Sequence, residues 1–262
     1  MIVTSIAAFR PEYHLSLNVD GEKIGMLVLC NGMPRSASTW SFAVVMELLR
    51  RCKPHEEVHG NYDANVARFL ETAAATASHL VLKSHLLDDV GRALSRVKAA
   101  RVVYTWRDPM DAVASSMEMF GYGFEHSFAL VRDSLELLRF HRHTGNAAVL
   151  SYKQIVNRPI AATELIASSL GLCDQPEIIR QVAEDMSLAQ MLKKLEERGA
   201  MSDRDRPNHL GLDILQQNNF EWQSLLLCHI RHGGFCYGGE RLSAQQARRV
   251  KDLSQKYGLL EA

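Results

Sequence analysis

The chain has 262 residues, of which 47% are hydrophobic and 23% charged, and this balance suits one large α/β domain with a sizeable core. Lys and Arg (30) balance Asp and Glu (30), so we expect no nucleic-acid partner, and any anion site must be local. The five cysteines are widely spaced with no C-x-x-C pair, which indicates free thiols in a reducing compartment rather than a disulfide framework or a zinc site.

No apolar run approaches the ~20 residues of a membrane span. The first 25 residues also lack the basic-then-apolar order of a signal peptide. We therefore expect a soluble cytoplasmic protein with no membrane partner.

Along the chain, short apolar strands alternate with helices. The predicted strands are Thr4–Ala8, Leu15–Val19, Met26–Cys30, Leu80–Ser84, Arg101–Trp106 and Ala147–Ser151. The predicted helices are Trp40–Leu49, Asn65–Ala77, Asp88–Val97, Met110–Met119, Glu125–His143, Pro159–Leu170 and Asp174–Glu197. This alternation indicates a single α/β domain over residues 1–262, with a mostly parallel sheet flanked by helices. The core is expected over 26–170, and a helical or irregular part over 171–262.

A small polar loop, residues 34–39, separates the strand that begins at Met26 from the helix that follows. Arg35 is its one cation. A strand, loop and helix N-terminus in this order present backbone N–H groups and a positive dipole end to an anion. Three hydroxyl side chains add donors and are candidate helix caps: Ser36, Ser38 and Thr39.

The loop has the outline of the ATP and GTP loop G-x-x-x-x-G-K-[ST] but lacks its lysine. Gly32 is in place, Ala37 replaces the second glycine, and Ser38 stands where the lysine would be. The cation lies inside the loop instead, which suggests a nucleotide whose 5′ end is not a triphosphate. The alternative is an ordinary strand, turn and helix with a Ser or Thr cap.

The string MPRSASTW, residues 33–40, resembles the 5′-phosphosulfate loop of sulfotransferases, x-P-[KR]-[SA]-G-[ST]-T-[WL]. Ala37 is the single departure from that pattern. The resemblance implies a P-loop NTPase-like sulfotransferase fold and the sulfate donor 3′-phosphoadenosine 5′-phosphosulfate (PAPS). The donor-binding residues that it implies in this loop are Arg35, Ser36, Ala37, Ser38, Thr39 and Trp40. Trp40 would stack on adenine, although core packing at the start of the helix is its alternative.

A second segment, RDPMDAVAS, resembles the sulfotransferase segment that holds the 3′-phosphate of PAPS. Arg107 would supply a fork of donors, and Ser115, eight positions later, a hydroxyl. The alternative is that Arg107 pairs with Asp108 or Asp111 at the surface. Although VVYTWRD also imitates a magnesium-binding strand, we expect Asp108 to be structural and no metal to be needed, because a sulfuryl group carries less charge than a phosphoryl group.

Two weaker matches complete the expected donor site. Tyr152, after the strand AAVLS, matches the family's tyrosine on the adenine side. Arg231, His232 and Gly233 resemble the family's C-terminal Arg-Lys-Gly over the 3′-phosphate, with histidine in place of lysine. A plain loop is the alternative for that tripeptide.

The carboxyl ends of parallel strands meet at one edge of a sheet, where ligands bind. The polar residues at or just after the ends of the predicted strands are Arg35, Lys83, His85, Arg107 and Tyr152. We therefore expect them in one crevice, where they would form a local anion site on a neutral protein.

Lys83-Ser84-His85 resembles the family's Lys-x-His segment, in which the histidine is the general base. A neutral imidazole can take the acceptor's proton near neutral pH. Lys83 and Arg35 would stabilise charge on the bridging oxygen during in-line attack. An arginine in the loop is also typical of sulfotransferases that act on carbohydrates or protein tyrosines, several of which use a glutamate base. Glu57 is therefore the second candidate base, and a solvated acidic pair with Glu56 is its alternative.

These features predict a PAPS-dependent sulfotransferase that acts on a hydroxyl or amine of a small-molecule or carbohydrate acceptor. One alternative is a P-loop nucleotide kinase, which would require a lysine at Ser38. The other is a non-catalytic nucleotide-binding protein on the same fold. The acceptor loops are expected at residues 55–63, 120–126 and 201–219, and the aromatic residues of the second weakly suggest an apolar acceptor.

Overall fold

The computed structural model describes residues 17–19, 22–73, 78–190, 193 and 238–259. The strands are β1 (Leu17–Val19), β2 (Glu22–Ile24), β3 (Met26–Gly32), β4 (Val58–Tyr62), β5 (His79–Ser84), β6 (Arg101–Trp106) and β7 (Ala147–Ser151). The helices are α1 (Ser38–Cys52), α2 (Val66–Ala73), α3 (Asp89–Arg96), α4 (Pro109–Phe120), α5 (Phe124–Thr144), α6 (Tyr152–Asn157), α7 (Pro159–Leu170), α8 (Pro176–Asp185), α9 (Gly238–Arg241) and α10 (Ala244–Lys256).

Five strands form one parallel sheet in the order β4-β5-β3-β6-β7, which confirms the predicted α/β class. β3 lies at its centre, pairing Leu29 with Leu82 of β5 and with Val102 of β6. Short β1 and β2 pair separately as an antiparallel ribbon. Because strands at the centre of a parallel sheet are covered on both faces, they appear in the sequence as apolar runs.

Successive residues of β3 enter the two apolar layers of the core. Leu27 and Leu29 pack with Phe69 and Leu135 on one face, whereas Val28 packs with α1 on the other. This alternation follows from the two-residue period of a strand. The two layers hold the sheet rigidly, so the loops at its carboxyl edge start from fixed positions.

Two expectations at the sheet need correction. β3 continues through Gly32, beyond its predicted end at Cys30, and β4 occupies part of the stretch 55–63 that was expected to be a loop. β4 is a half-buried edge strand with little apolar sequence, and it forms because it pairs with β5. Gly60 permits this, since a Cβ there would lie closer than 3.0 Å to Met46 and Phe42 of α1.

The helix boundaries follow from local capping chemistry. Asp108 caps α4 by accepting the N–H of Asp111 at 3.1 Å, and Pro109 occupies the first helical position. Gly171 ends α7 in the left-handed conformation, with φ 75°. The structural role expected for Asp108 is therefore confirmed.

Other expectations concern thiols and membrane spans. Cys30, Cys52 and Cys173 carry free thiols, and the other two cysteines lie outside the described residues. Across the described ranges, no helix combines the length and apolar character needed to cross a bilayer.

A buried histidine behind the sheet predicts how stability depends on pH. His141 of α5 is 1% exposed beside Tyr104, and burial lowers its pKa from 6.5 to about 4. His141 therefore binds its proton more tightly in the unfolded chain than in the folded one. The free energy of unfolding should fall by about 3 kcal/mol as pH drops from 6.5 to 4. Urea titrations of the native chain and His141→Phe across that range would measure this contribution. An equal pH dependence in both proteins would contradict it.

Candidate active site

The functional candidates meet at the carboxyl edge of the parallel sheet. The loop after β3, the end of β5, the end of β6 and the end of β7 all open at this edge, because all four strands run the same way. The structure therefore brings together Arg35, Lys83, His85, Arg107 and Tyr152.

The loop between β3 and α1 is fastened to the neighbouring strand β6. Thr105 accepts the N–H of Met33 through its carbonyl oxygen at 2.9 Å. The Ser36 hydroxyl lies 2.6 Å from the Met33 carbonyl oxygen and 2.7 Å from Oγ1 of Thr105, and Ser36 is 0% exposed. Ser36 therefore holds the loop from inside, rather than adding the hydroxyl donor that was expected for the ligand.

Gly32 makes this fastening possible, since a Cβ there would lie closer than 3.0 Å to Oγ1 of Thr105 and Cβ of Ser38. The N-cap of α1 is Ala37, whose side chain makes no capping hydrogen bond, so the hydroxyl cap that was expected is absent from this helix. The first turn of a helix has N–H groups with no intrahelical acceptor. The start of α1 therefore presents backbone donors and the positive dipole end to the crevice.

Arg35 and Ala37 both adopt the left-handed conformation, with φ of 66° and 67°. Alanine there costs about 1–2 kcal/mol. Glycine would remove this cost, but it would also make the unfolded chain more flexible, which offsets about 0.4–1 kcal/mol of the gain. Ala37→Gly should therefore raise the free energy of unfolding by about 0.5–1 kcal/mol. Ala129→Gly, inside α5, is the matched control and should lower it by about 1 kcal/mol. Denaturant titration measures both, and destabilisation by Ala37→Gly would contradict the expectation.

Arg35 connects the loop to α4. Its Nε donates to Oγ of Ser115 at 3.1 Å across the crevice. The two residues are 80 positions apart in the sequence, so only the fold brings them together. The segment with the features of a 5′-phosphosulfate loop and the segment with those of a 3′-phosphate site therefore lie in direct contact.

Arg107 is held on two sides. It is 8% exposed, and its Nη2 lies 3.4 Å from Oδ2 of Asp111. Its guanidinium carbon lies 4.4 Å from the ring centroid of Tyr152. The surface ion pair considered as an alternative is thus a buried pair at the crevice, and Asp108 serves the helix cap instead.

His85 lies at the end of β5, where its ring orientation is fixed. Its Nδ1 lies 2.7 Å from the carbonyl oxygen of Gly32. A carbonyl oxygen only accepts, so Nδ1 carries the proton, and Nε2 carries the lone pair of the neutral ring. The fold therefore sets His85 in the tautomer that a general base needs.

Lys83, two residues earlier, is 5% exposed, and its Nζ lies 4.8 Å from the ring centroid of Tyr62. Desolvation lowers the pKa of Lys83 from 10.5 to about 8, although the nearby Cys30 acts in the opposite direction. The ammonium group is thus weakly solvated, which makes it a strong partner for an incoming anion.

Glu57 lies at the opposite end of the sheet. Its carbonyl oxygen accepts the N–H of His79, the first residue of β5, whereas His85 follows the last. At about 3.3 Å per residue, the length of β5 puts roughly 17 Å between the two ends. Glu56 also lies there, where its carboxylate contacts His79 at 2.8 Å. The structure therefore does not bring the second candidate base to the crevice.

Trp40 takes the packing alternative. It is 7% exposed within the apolar layer on α1, and its Nε1 donates to the carbonyl oxygen of Met186 at 2.8 Å. The indole thus anchors the end of α8, and no expected adenine platform remains in this loop. Arg231, His232 and Gly233 lie outside the described residues.

Sequence reasoning missed two residues that shape the site. Thr105 fastens the loop, and Tyr62 covers Lys83. The pairing of Arg107 with Asp111 was considered, as their i,i+4 spacing allows, but at the surface rather than inside the protein. Thr105 and Tyr62 carried no local signal, because their roles depend on pairing between strands. In the described part of the chain, no group of three or more His, Cys, Asp or Glu residues could hold a metal ion.

Comparisons with known proteins agree with this geometry. The chain resembles solved structures that share its fold at low sequence identity. Mouse sulfotransferase SULT7A1 complexed with PAP has a TM-score of 0.60 and 15% identity, covering 89% of this chain and 84% of that one. Retinol dehydratase with androsterone and the inactive cofactor PAP has a TM-score of 0.52 and 14% identity, covering 97% and 95%.

Retinol dehydratase in a complex with retinol and PAP has a TM-score of 0.55 and 14% identity, covering 89% of this chain and 81% of that one. No curated protein sequence gives a significant match. The sequence model of the sulfotransferase domain, however, matches residues 27–203, which include the loop after β3, His85, Arg107 and Tyr152. The chain therefore belongs to the sulfotransferase domain family.

Proposed function

We propose that this chain transfers a sulfuryl group from PAPS to a hydroxyl or amine of a small-molecule acceptor, with a carbohydrate as the alternative acceptor class. The hydrogen bond from Arg35 to Ser115 carries the proposal. PAPS has anionic groups at both its 5′ and 3′ ends, so its binding site must bring two anion-binding elements together. The contact between the loop after β3 and α4 supports such an arrangement.

The residues at the carboxyl edge have separate roles in this proposal. The N–H groups at the start of α1, with Arg35, Ser38 and Thr39, would bind the 5′-phosphosulfate. Arg107 and Ser115 would hold the 3′-phosphate through a guanidinium fork and a hydroxyl. PAP, the product left after sulfuryl transfer, is the bound nucleotide of the solved sulfotransferase that this chain resembles.

His85 is the proposed general base. With Nδ1 held by the Gly32 carbonyl oxygen, its Nε2 would remove the proton from the acceptor hydroxyl as that oxygen attacks sulfur. The sulfur–oxygen bond to the leaving nucleotide breaks at the same time. Lys83 and Arg35 would stabilise the negative charge that develops on the bridging oxygen. Sulfuryl transfer needs no metal in this scheme.

One aromatic side chain lies next to the proposed base, and others lie in a segment that was expected to be an acceptor loop. The ring centroids of Tyr62 and His85 are 6.1 Å apart, and Tyr122 stacks edge-on with His126 at 4.4 Å. Aromatic ring faces favour an apolar alcohol or phenol over a sugar, whose many hydroxyls would need partners. An apolar acceptor is therefore the first class to screen.

Calorimetry with PAP, set against ATP plus magnesium, tests the donor. We expect PAP to bind and ATP to bind at least about tenfold more weakly, because no lysine stands at Ser38 to reach the β- and γ-phosphates. Preference for ATP would overturn the donor assignment. A screen with labelled PAPS and phenols, steroid alcohols, amines and sugars would follow, and binding of PAP without transfer to any acceptor would favour the non-catalytic alternative.

A further inference from the structure

Beyond the groups proposed to touch the donor, one buried carboxylate joins two distant parts of the chain. Asp111, in the first turn of α4, is 3% exposed. Its Oδ2 lies 3.4 Å from Nη2 of Arg107, and its Oδ1 accepts the N–H of Gly238 at 2.9 Å. The same side chain thus contacts the proposed 3′-phosphate arginine and the start of α9, 127 positions later.

Gly238 approaches α4 more closely than another residue could. A Cβ at this position would lie closer than 3.0 Å to the carbonyl carbon and oxygen of Met110 and to the amide nitrogen of Asp111. All three are backbone atoms, which cannot rotate away as a flexible side chain would. The hydrogen bond and the close approach are two separate observations that α9 is fitted to the first turn of α4.

The chemistry of this contact requires a carboxylate. Asp111 accepts from two donors at once, whereas an amide of the same shape would turn an N–H₂ group toward one of them. The guanidinium of Arg107 is then fixed along one edge by Asp111 and across one face by Tyr152. A guanidinium held on two sides loses little freedom when it binds a phosphate.

We propose that Asp111 is a positioning residue. It couples the docking of α9 to the orientation of the Arg107 guanidinium, and thereby raises the affinity for nucleotides with a 3′-phosphate. This inference rests on the proposed function, in which Arg107 and Ser115 hold that phosphate. Linkage is reciprocal, so a ligand that engages Arg107 must in turn favour the docked α9.

The first test changes no charge. Gly238→Ala should weaken PAP about tenfold in calorimetry, while the affinity for AMP, which lacks the 3′-phosphate, should change less than about twofold. Gly123→Ala is the matched control, since a Cβ there meets nothing within 4 Å, and it should leave both affinities unchanged. The inference would be overturned if Gly238→Ala kept the native ratio of PAP affinity to AMP affinity, whether both affinities were unchanged or both fell equally.

The second test follows α9 itself and does not depend on Gly238→Ala folding normally. In the native chain, the Gly238 amide should exchange its hydrogen about fivefold more slowly with saturating PAP than with saturating AMP. In the isosteric variant Asp111→Asn, this difference should disappear and PAP should bind about tenfold more weakly. Tighter PAP binding by Asp111→Asn would overturn the inference, because it would mean that the carboxylate only repels the phosphate.

These outcomes separate the inference from the proposed function. If the native chain binds PAP no better than AMP, then the assignment of Arg107 and Ser115 to a 3′-phosphate is wrong. If the native chain prefers PAP and the variants keep that preference, then only the role of Asp111 is wrong.

Discussion

His85→Ala should lower kcat by about 10²- to 10⁴-fold and change the affinity for PAP by less than about twofold. The range is that of a lost general base, and donor binding is spared because the proposed donor contacts come from other residues. Steady-state kinetics with an apolar alcohol acceptor would measure kcat, and calorimetry the affinity.

Glu57→Gln provides the contrasting variant. Glu57 lies beside the start of β5, at the edge of the sheet away from the crevice, so we expect its kcat to match that of the native chain. A large loss of kcat in Glu57→Gln together with normal activity in His85→Ala would exchange the two roles and contradict the site described above.

The central sheet was predictable because β3, β5 and β6 are covered on both faces and their sequences are continuous apolar runs. β4 was not, since VHGNY has little apolar sequence and each of its residues is only partly buried. The register of β4 is set by its pairing with β5, and the local sequence of β4 does not encode that pairing. The other edge strand, β7, was predictable because its sequence AAVLS is largely apolar, although its burial is incomplete. Strand prediction therefore succeeded for apolar sequences and failed where pairing alone decided.

The site was predictable where strand direction decides position. Lys83 lies at the end of a parallel strand, and Arg35, His85 and Arg107 follow such strands, so one rule of topology brings all four to one edge. The same rule excludes Glu57, because α1 carries the chain back to the amino edge before β4 begins. The position of Glu57 in the sequence, just after the first helix, was therefore misleading.

The local roles of loop residues were less predictable. Ser36 appears in the sequence as a hydroxyl donor for the ligand, but its partner Thr105 lies 69 positions away on β6. Trp40 is similar, since Met186 accepts its N–H from 146 positions away. Such contacts depend on how the layers pack, and a motif specifies the backbone of a loop more reliably than the direction of each side chain.

Lys83→Met should lower kcat by about 10²- to 10³-fold, because a buried cation directed at developing charge supplies a large share of transition-state stabilisation. Lys83 lies 5% exposed at the end of β5, two residues before the proposed base. Unlike His85→Ala, this variant should also weaken PAP, since in the proposed site the 5′-phosphate left after transfer would still face the ammonium. Calorimetry and steady-state kinetics distinguish the two variants.

The depressed pKa of Lys83 adds a signature in pH. With a pKa of about 8 in the free protein, the charged fraction falls about tenfold between pH 7 and pH 9, and PAP affinity should fall with it. The anion favours the charged form, so binding at pH 9 should take up about one proton, measurable by calorimetry in buffers of different ionisation enthalpy. Lys83→Arg keeps its charge throughout and should show neither effect.

The lowered pKa of Lys83 also predicts how stability depends on pH, and this trend is opposite to that of the PAP affinity. The folded pKa of about 8 lies below the usual 10.5, so between these values the unfolded chain binds more protons at Lys83. The contribution of Lys83 to the free energy of unfolding should therefore rise with pH across that window, while PAP affinity falls. Urea titrations of the native chain and Lys83→Met isolate this term. Parallel pH dependence in the two proteins, together with pH-independent PAP binding, would mean that Lys83 keeps an ordinary pKa and is not the buried cation of the site.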